Sequence, residues 1–533
     1  MSGATGGTGG PGGAAGIAGS GGTSTGGSGA ADQPAVLAID VGTSSVRAAV
    51  VTVDGAIPAS VQRPALPTSP MVNFVEFDPA EQAAAALAAA SQALAAWGGP
   101  VAAVGITNQR ASTILWDRRT GQPVGPGVGW QDLRTVGMCL AFQAQGLHLA
   151  PNASATKLAF LLDLADPDRS RSAAGELAFG TIDTWLAWTL SGGAVHVTDP
   201  GNAAVTGLFA PDGRGWDRSV LEALRIPPEV MPAIVDSAGV VGEATALPGA
   251  PPIGGLAGDQ QASLLGQGCV VPGSAKLTLG TGGMLDICTG ALPFRGTPPN
   301  PGAPAAAARG PNGTIPIVAW RRAGLTTWGA EGIAITAGST VEWIRDGLGL
   351  VADSAASEAV AASVADTGGV VFVPALFGLG TPRWDYGARG GFFGMTRGTG
   401  RAELVRAVLE GVAQRGADLL EAAESDTGLT VAELRLDGGM SANGVVVQAL
   451  ADFTGRPVAV SPVTEATTLG AAYLAGLAVG VWADEAETAA LFRPARVAEP
   501  SIGDDARAAA RTRFAAAVEG CAGWVPELSA ITF

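Results

Sequence analysis

Two aspartates close apolar runs in this sequence, Asp40 after Val-Leu-Ala-Ile and Asp259 after Gly-Gly-Leu-Ala-Gly. A carboxylate at such a point can take up a proton, hold a cation or simply cap a helix. Around Asp259, the amides of Gln260 and Gln261 and a helix-like apolar segment reaching Gly268 leave both the cap and the reactive carboxylate open. The turns nearby narrow the chemistry. After Asp40 come Gly42, Thr43, Ser44 and Ser45, a small-residue turn leading into a strand-like run at residues 46–53. Beyond Asp259, residues 276–279 read as a strand, Gly280-Thr281-Gly282-Gly283 as a tight turn and residues 284–288 as the returning strand. Tips built almost wholly of backbone let N–H groups approach phosphate oxygens closely. A third strand-like segment, residues 434–437, ends at Asp437 before Gly438 and Gly439, either a nucleotide-binding turn or a tight connection into a helix.

Two strand–turn–strand units, one opening each half, predict a duplicated architecture with a cleft between the halves. An Ala-rich helix is predicted over residues 79–97, with Asp78 as its N-cap and Pro79 as its first residue, followed by a strand at residues 101–107. Strands alternating with helical patterns continue, which favours an α/β fold with parallel sheet. A second helix-rich region covers residues 401–425. Residues 1–33 are almost entirely Gly, Ala, Ser and Thr and read as a disordered tail, while the Pro/Gly/Ala stretch at 294–313 reads as a surface insertion. The expected division is a tail at 1–33, a first domain at 34–268, a second at 269–500 and a helical C-terminal tail at 501–533, with the boundary at residues 267–272.

The 533 residues are enough for two large cores, with 47% hydrophobic and 15% charged residues. A net charge of −16, with no basic run, argues against nucleic acid or an anionic membrane surface as partner. Four scattered cysteines without a CxxC pair (Cys139, Cys269, Cys288 and Cys521) predict reduced thiols. His148 and His196 are too few for a metal cluster. No run is long enough for a membrane span, and the N-terminus lacks a basic and apolar leader; the expected location is the cytoplasm.

Ordered blocks now carry a resemblance: DVGTSSVRAAVV from Asp40, VEFDP from Val75, GITNQRASTILWDRRTGQPV from Gly105, WQDLRT from Trp130, GTIDTWLAWTLSGG from Gly180, HVTDPGNAAVTGLF from His196, GLAGDQQASLLGQG from Gly255, LTLGTGG from Leu277, LDGGMSANGVVVQALADFTGRPV from Leu436 and EATTLGAAYLAGLAVGVW from Glu465. Together they resemble the FGGY family of carbohydrate kinases over nearly the whole chain after the tail. The resemblance implies two actin-like (ribonuclease H-like) α/β domains and ATP- and Mg²⁺-dependent phosphorylation of a hydroxyl on glycerol or a related polyol or sugar. It implies Asp259 as general base, and Asp40 with Asp259 at the magnesium. Gly42, Thr43, Ser44 and Arg47 would approach the transferred phosphoryl group, and Gly280, Thr281 and Gly282 the other phosphates. Gly438, Gly439 and Asn443, with Gly338 and Glu342 nearby, would face the adenosine. Arg110, Trp130, Asp259 and Gln260 match polyol-binding positions. A homo-oligomer, dimer or tetramer, is also implied.

Three positions depart from the family's polyol pocket: Ala111 where a glutamate follows NQR, Asn152 in place of a tyrosine, and Met284 in place of an aromatic. Each change slims the pocket wall, which predicts room for a longer polyol or a ketose unless Trp185, Trp188 or Trp384 refills it. A non-catalytic nucleotide sensor is the reading of another class, and the intact set Asp40, Arg47, Asp259 and Thr281 speaks against it.

Overall fold

The computed structural model describes residues 34–210, 213–293, 309–463 and 466–531; the Gly-rich tail and residues 294–308 of the expected insertion lie outside them. The first hairpin consists of β1 (Ala35–Val41) and β2 (Ser45–Thr52), extended antiparallel by β3 (Ala59–Pro64). On its other side β1 runs parallel to β4 (Val104–Asn108), and β4 parallel to β5 (Pro252–Gly258). The second half repeats this arrangement. There β6 (Ala275–Leu279), β7 (Gly283–Gly290) and β8 (Leu325–Ala334) form the antiparallel set, while β6 runs parallel to β9 (Leu434–Asp437) and β9 to β10 (Val458–Val460). The orders β3-β2-β1-β4-β5 and β8-β7-β6-β9-β10 are the same series of two antiparallel and two parallel pairings, which is the duplication the two hairpins predict. The strands Ala238–Glu243 and Ile315–Arg322 meet at the single pair Ala238 and Arg322 and so join both halves into one 13-stranded sheet.

Buried strands need helices on both faces. On one face of the first half lies α1 (Pro79–Trp97), whose N-cap Asp78 accepts hydrogen bonds from the backbone N–H groups of Ala80 at 2.8 Å and Glu81 at 3.1 Å. In chain order there follow α2 (Asp259–Gly266), α3 (Gly338–Asp346), α4 (Arg401–Thr427), α5 (Gly444–Thr454), α6 (Ala466–Val479) and α7 (Asp504–Cys521). The last of these buries Phe514, Val518 and Cys521 against Val373 and Leu379, so most of the expected C-terminal tail is packed into the second half.

The other face of the first half is covered from far along the chain. Helix α6 packs Leu469, Ala471, Ala472 and Leu474 into one core with Val36, Ala38, Val51 and Ala257. Its small residues permit backbone contact. A Cβ built on Gly470 would lie 1.8 Å from the Ala262 carbonyl oxygen of α2, one on Gly266 would lie 2.0 Å from that of Ala466, and one on Gly105 would lie 2.0 Å from that of Ala471. The helix bearing Asp259 is thus clamped to α6 at van der Waals distance.

Trp185 and Trp188 do not reach a pocket: they cluster with Trp116 and His196 in the first core, and Trp185 Nε1 donates to the Pro79 carbonyl at 2.8 Å. Trp384 is likewise occupied, its Nε1 donating to the Gly313 carbonyl at 2.7 Å and its ring stacked under Arg309. All four cysteines are buried and free.

His196 is fixed as the neutral tautomer. Arg118 only donates, so Nδ1, 3.0 Å from Arg118 Nη2, accepts, and Nε2–H donates to the Phe179 carbonyl at 2.8 Å. Burial, with the Arg118 charge beside it, lowers the imidazole's pKa to about 4. The unfolded chain takes up this proton near pH 6.5 and the folded one only near 4, so the contribution is complete above pH 6.5 and lost as the pH falls toward 4. Unfolding free energies from urea titrations of the wild type should therefore fall between pH 7 and 5 by up to about 1 kcal/mol per pH unit more than those of His196→Gln. Parallel profiles for the two proteins would refute this.

Candidate active site

The parallel strands β1, β4 and β5 end together, with Val41, Asn108 and Gly258 in register. Asp40, Arg110 and Asp259 therefore emerge side by side at the carboxyl edge of the sheet, with β1 and β5 roughly 10 Å apart, two strand spacings. The crevice beyond such strand ends is where open α/β sheets bind ligands.

Asp259 is the first residue of α2, and Gly258, not Asp259, holds the cap position. Its Oδ1 accepts from Gln260 N–H at 2.8 Å and lies 3.3 Å from Arg110 Nε. The Arg110 Nη2 pairs in turn with Glu331 of β8 at 2.7 Å. Gly258 makes this arrangement possible: a Cβ there would lie 2.7 Å from the Arg110 Cγ and Cδ atoms, so the guanidinium crosses bare backbone. The Asp259 side chain keeps 31% exposure while Arg110 keeps 11%. Burial raises the pKa of Asp259, and the Arg110 charge and the Gln260 N–H oppose it. Burial also lifts Glu331 well above the usual carboxylate range against the pull of Arg110. Desolvation works against the charge of Arg110, but Glu331 and Asp259 outweigh it and hold the guanidinium protonated.

Behind this trio is a second buried set. Lys276 of β6 pairs with its cross-strand neighbour Asp286 at 2.7 Å, both side chains fully buried, and donates to Gln260 Oε1 and to Thr278 Oγ1 at 2.9 Å. Thr278 donates to Asp437 Oδ1, and Ser263 of α2 to Asp437 Oδ2 at 2.9 Å. The sequence reading did not single out Glu331, Lys276 or Asp286. Each is the only charged residue of its strand, and that placement is the signal that a buried partner awaits it.

At the first hairpin Asp40 is buried and its Oδ2 accepts from Thr467 Oγ1 at 2.6 Å. Arg47 is its cross-strand neighbour and donates to Gln62 Oε1 at 2.9 Å. Gly42 N–H donates to the Ser45 carbonyl at 2.9 Å, closing the turn, with Ser44 exposed at its tip. Trp130 Nε1 reaches Thr43 Oγ1 at 3.4 Å, which brings the expected acceptor wall to the expected phosphate turn.

The second hairpin meets the other expected nucleotide residues. Gly338 N–H donates to the Gly280 carbonyl at 2.8 Å and Ala337 N–H to that of Thr281 at 2.9 Å. A Cβ on Gly338 would lie 2.6 Å from the Gly280 oxygen, and one on Gly438, where φ is +86°, would lie 2.5 Å from the Leu279 oxygen. The glycines at Gly282, Gly338 and Gly438 therefore let these backbone segments pack directly on one another, with Thr281 exposed beside them, Gly439 opening the next turn and Glu342 exposed on α3. The Asn443 side chain is committed elsewhere: Oδ1 caps α5 by accepting from Val445 and Val446 N–H, and Nδ2 donates to Ser357. Asn443 thus borders the turn with its amide already engaged.

Of the departing positions, Ala111 is buried with φ at +62°, its carbonyl accepting from Ser154 Oγ at 2.9 Å, Asn152 is exposed, and Met284 is half-buried.

Comparison with known proteins follows the same lines. The model of the FGGY carbohydrate kinase N-terminal domain matches residues 35–266 and that of the C-terminal domain residues 275–479. The chain is 45% identical to a glycerol kinase of Aromatoleum aromaticum over 505 residues, 92% of this chain and 99% of the relative. It is 46% identical to one from Dechloromonas aromatica, over 92% and 98%. Among solved structures, Plasmodium falciparum glycerol kinase with ADP superposes with a TM-score of 0.84 at 29% identity, covering 92% of this chain and 98% of that one. A ligand-bound xylulose kinase of Lactobacillus acidophilus, at 22% identity and a TM-score of 0.77, shares the fold.

Proposed function

The chain belongs to the FGGY family of carbohydrate kinases, and from that premise we propose how its cleft carries out ATP-dependent phosphorylation of a hydroxyl on glycerol or a related polyol or sugar. The observation that carries the proposal is the placement of Asp259: it is partly exposed at the end of β5 and held between Arg110 and the Gln260 N–H. A carboxylate so fixed accepts the proton of the attacking hydroxyl, while Arg110 keeps it from swinging away. ATP with Mg²⁺ supplies the phosphoryl group and neutralises its charge. Asp40 and Asp259 would hold the magnesium; Gly42, Thr43, Ser44 and Arg47 would line the transferred group. Gly280, Thr281 and Gly282 would line the remaining phosphates, the Gly280 N–H itself closing the turn onto the Gly282 carbonyl, with Gly338, Glu342, Gly438, Gly439 and Asn443 around the adenosine. Arg110, Trp130 and Gln260 would hold the acceptor, the indole against its carbon face.

The two repeated strand sets support a division into a first domain at 34–268 and a second at 269–500, closing on each other to exclude water. No helix among the described residues is long and apolar enough to cross a membrane. A homo-oligomer in the cytoplasm completes the proposal.

The test is ADP release with ATP and Mg²⁺ across glycerol, tetritols, pentitols and ketoses. One or a few of these acceptors should stimulate release strongly. The small side chain at Ala111, and the tryptophans that stay in their own cores, favour a larger acceptor as second reading, which a clear preference for glycerol would overturn. Nucleotide binding without stimulation by any acceptor would overturn the kinase reading itself.

A further inference from the structure

Helix α2 meets the second half of the protein through polar groups. Gln260, Ser263 and Gln267, three, four and seven residues apart, form one stripe along it. Gln260 meets Lys276, Ser263 meets Asp437, and the Gln267 carbonyl accepts from Arg435. Lys276 lies in a row of register neighbours crossing four strands, Arg435, Lys276, Asp286 and Glu331, so the charges of this row come from both sides of it.

An ammonium group has three protons and no lone pair. The protons of Lys276 have three acceptors at hand, Asp286 Oδ2, Gln260 Oε1 and Thr278 Oγ1. Only the oxygen of the Gln260 amide can face this lysine, so its NH₂ edge is turned away from β6. We propose that the buried Lys276–Asp286 pair is a positioning device for the acceptor substrate: it locks the Gln260 amide so that Nε2 presents a donor to the hydroxyl oxygen beside the reacting one. This rests on the assignment of Gln260 to the acceptor. Consecutive residues then play opposite parts, Asp259 accepting a proton from one hydroxyl and Gln260 donating to a neighbouring oxygen. Thr278, which receives a proton from Lys276 and gives its own to Asp437, carries the same chain of bonds to the strand end before Gly438.

Steady-state kinetics of Gln260→Ala, the double variant Lys276→Met with Asp286→Leu, and their combination test this. Lysine and aspartate are removed together, because removing one leaves a buried charge without its partner. Gln260→Ala should raise the KM for the alcohol about tenfold, the effect of one lost neutral hydrogen bond. The double variant should do nearly the same, with the KM for ATP within about twofold of wild type, and the combination should be no worse than Gln260→Ala alone. An unchanged alcohol KM in the double variant, when Gln260→Ala raises it, overturns the positioning role; so do effects that multiply in the combination. A wild-type alcohol KM in Gln260→Ala overturns the assignment of Gln260 itself. Gln260→Glu leaves the buried pair intact and puts an oxygen where the donor stood. It should raise the alcohol KM at least as much as Gln260→Ala, and an unchanged value there also overturns the proposal should the double variant not fold.

Discussion

Replacing Asp259 by asparagine is expected to lower kcat about 100- to 10,000-fold, the usual worth of a positioned general base. Asparagine matches aspartate in shape, and its oxygen can still accept the Gln260 N–H that Asp259 Oδ1 accepts at 2.8 Å. Arg110 retains Glu331 as counter-charge, so the helix start and the arginine should keep their places. What disappears is the capacity to take up a proton, and the KM for ATP should change little. The pH profile gives a second reading. Because burial raises Asp259 above an ordinary aspartate while Arg110 holds it down, the acid limb of kcat/KM should lie above the usual aspartate range, with activity lost as pH falls through it. That limb should vanish in the variant. Turnover within a few-fold of wild type would remove Asp259 from the role of base.

The second large effect is structural. Gly470→Ala places a methyl group where the Ala262 carbonyl oxygen already stands, 1.8 Å away, and both sides of the contact are helix backbone. Neither helix can yield by turning a side chain, so the expected loss of stability is about 3 kcal/mol or more, at or beyond the upper end of what overpacking a core costs. The displaced helix is the one that begins with Asp259, so any folded fraction should also turn over slowly. Gly137→Ala is the control: it lies in the helix Val136–Gln143 with nothing within 4 Å of the added Cβ, and it should be neutral or stabilising by up to about 1 kcal/mol. Equal melting temperatures for the two variants would show that the α2–α6 contact tolerates separation.

The strands that lead to Asp40 and Asp259 were legible because buried parallel strands are written as unbroken apolar runs, and the glycine turns after Asp40 and Asp437 announce themselves. The cap ambiguity at Asp259 was not resolvable locally; Gly258 takes the cap position, and the three-dimensional approach of Arg110 selects a residue without a side chain there. As the only charge in β8, Glu331 signalled a buried partner, but its identity was not legible because Arg110 stands in the other half of the chain. Asn443 carried a signal that was passed over: an asparagine before Gly-Val-Val-Val is a plain helix cap, and the structure uses it as one. Helix α6 was misleading in another way. Its place late in the chain reads as a helix of the second half, yet the grooves that receive it are made by Gly105 and Gly255 of the first.

That placement bears on how the molecule is made. During synthesis the first half leaves the ribosome with one face of its sheet uncovered, Val36, Ala38, Val51 and Ala257 among the bare residues, because the helix that covers them is encoded some two hundred residues later. At ordinary elongation rates that interval is on the order of ten seconds or more. Nascent chains halted before Ala466 would hold this apolar surface open to chaperones, and it would close only once α6 has been made.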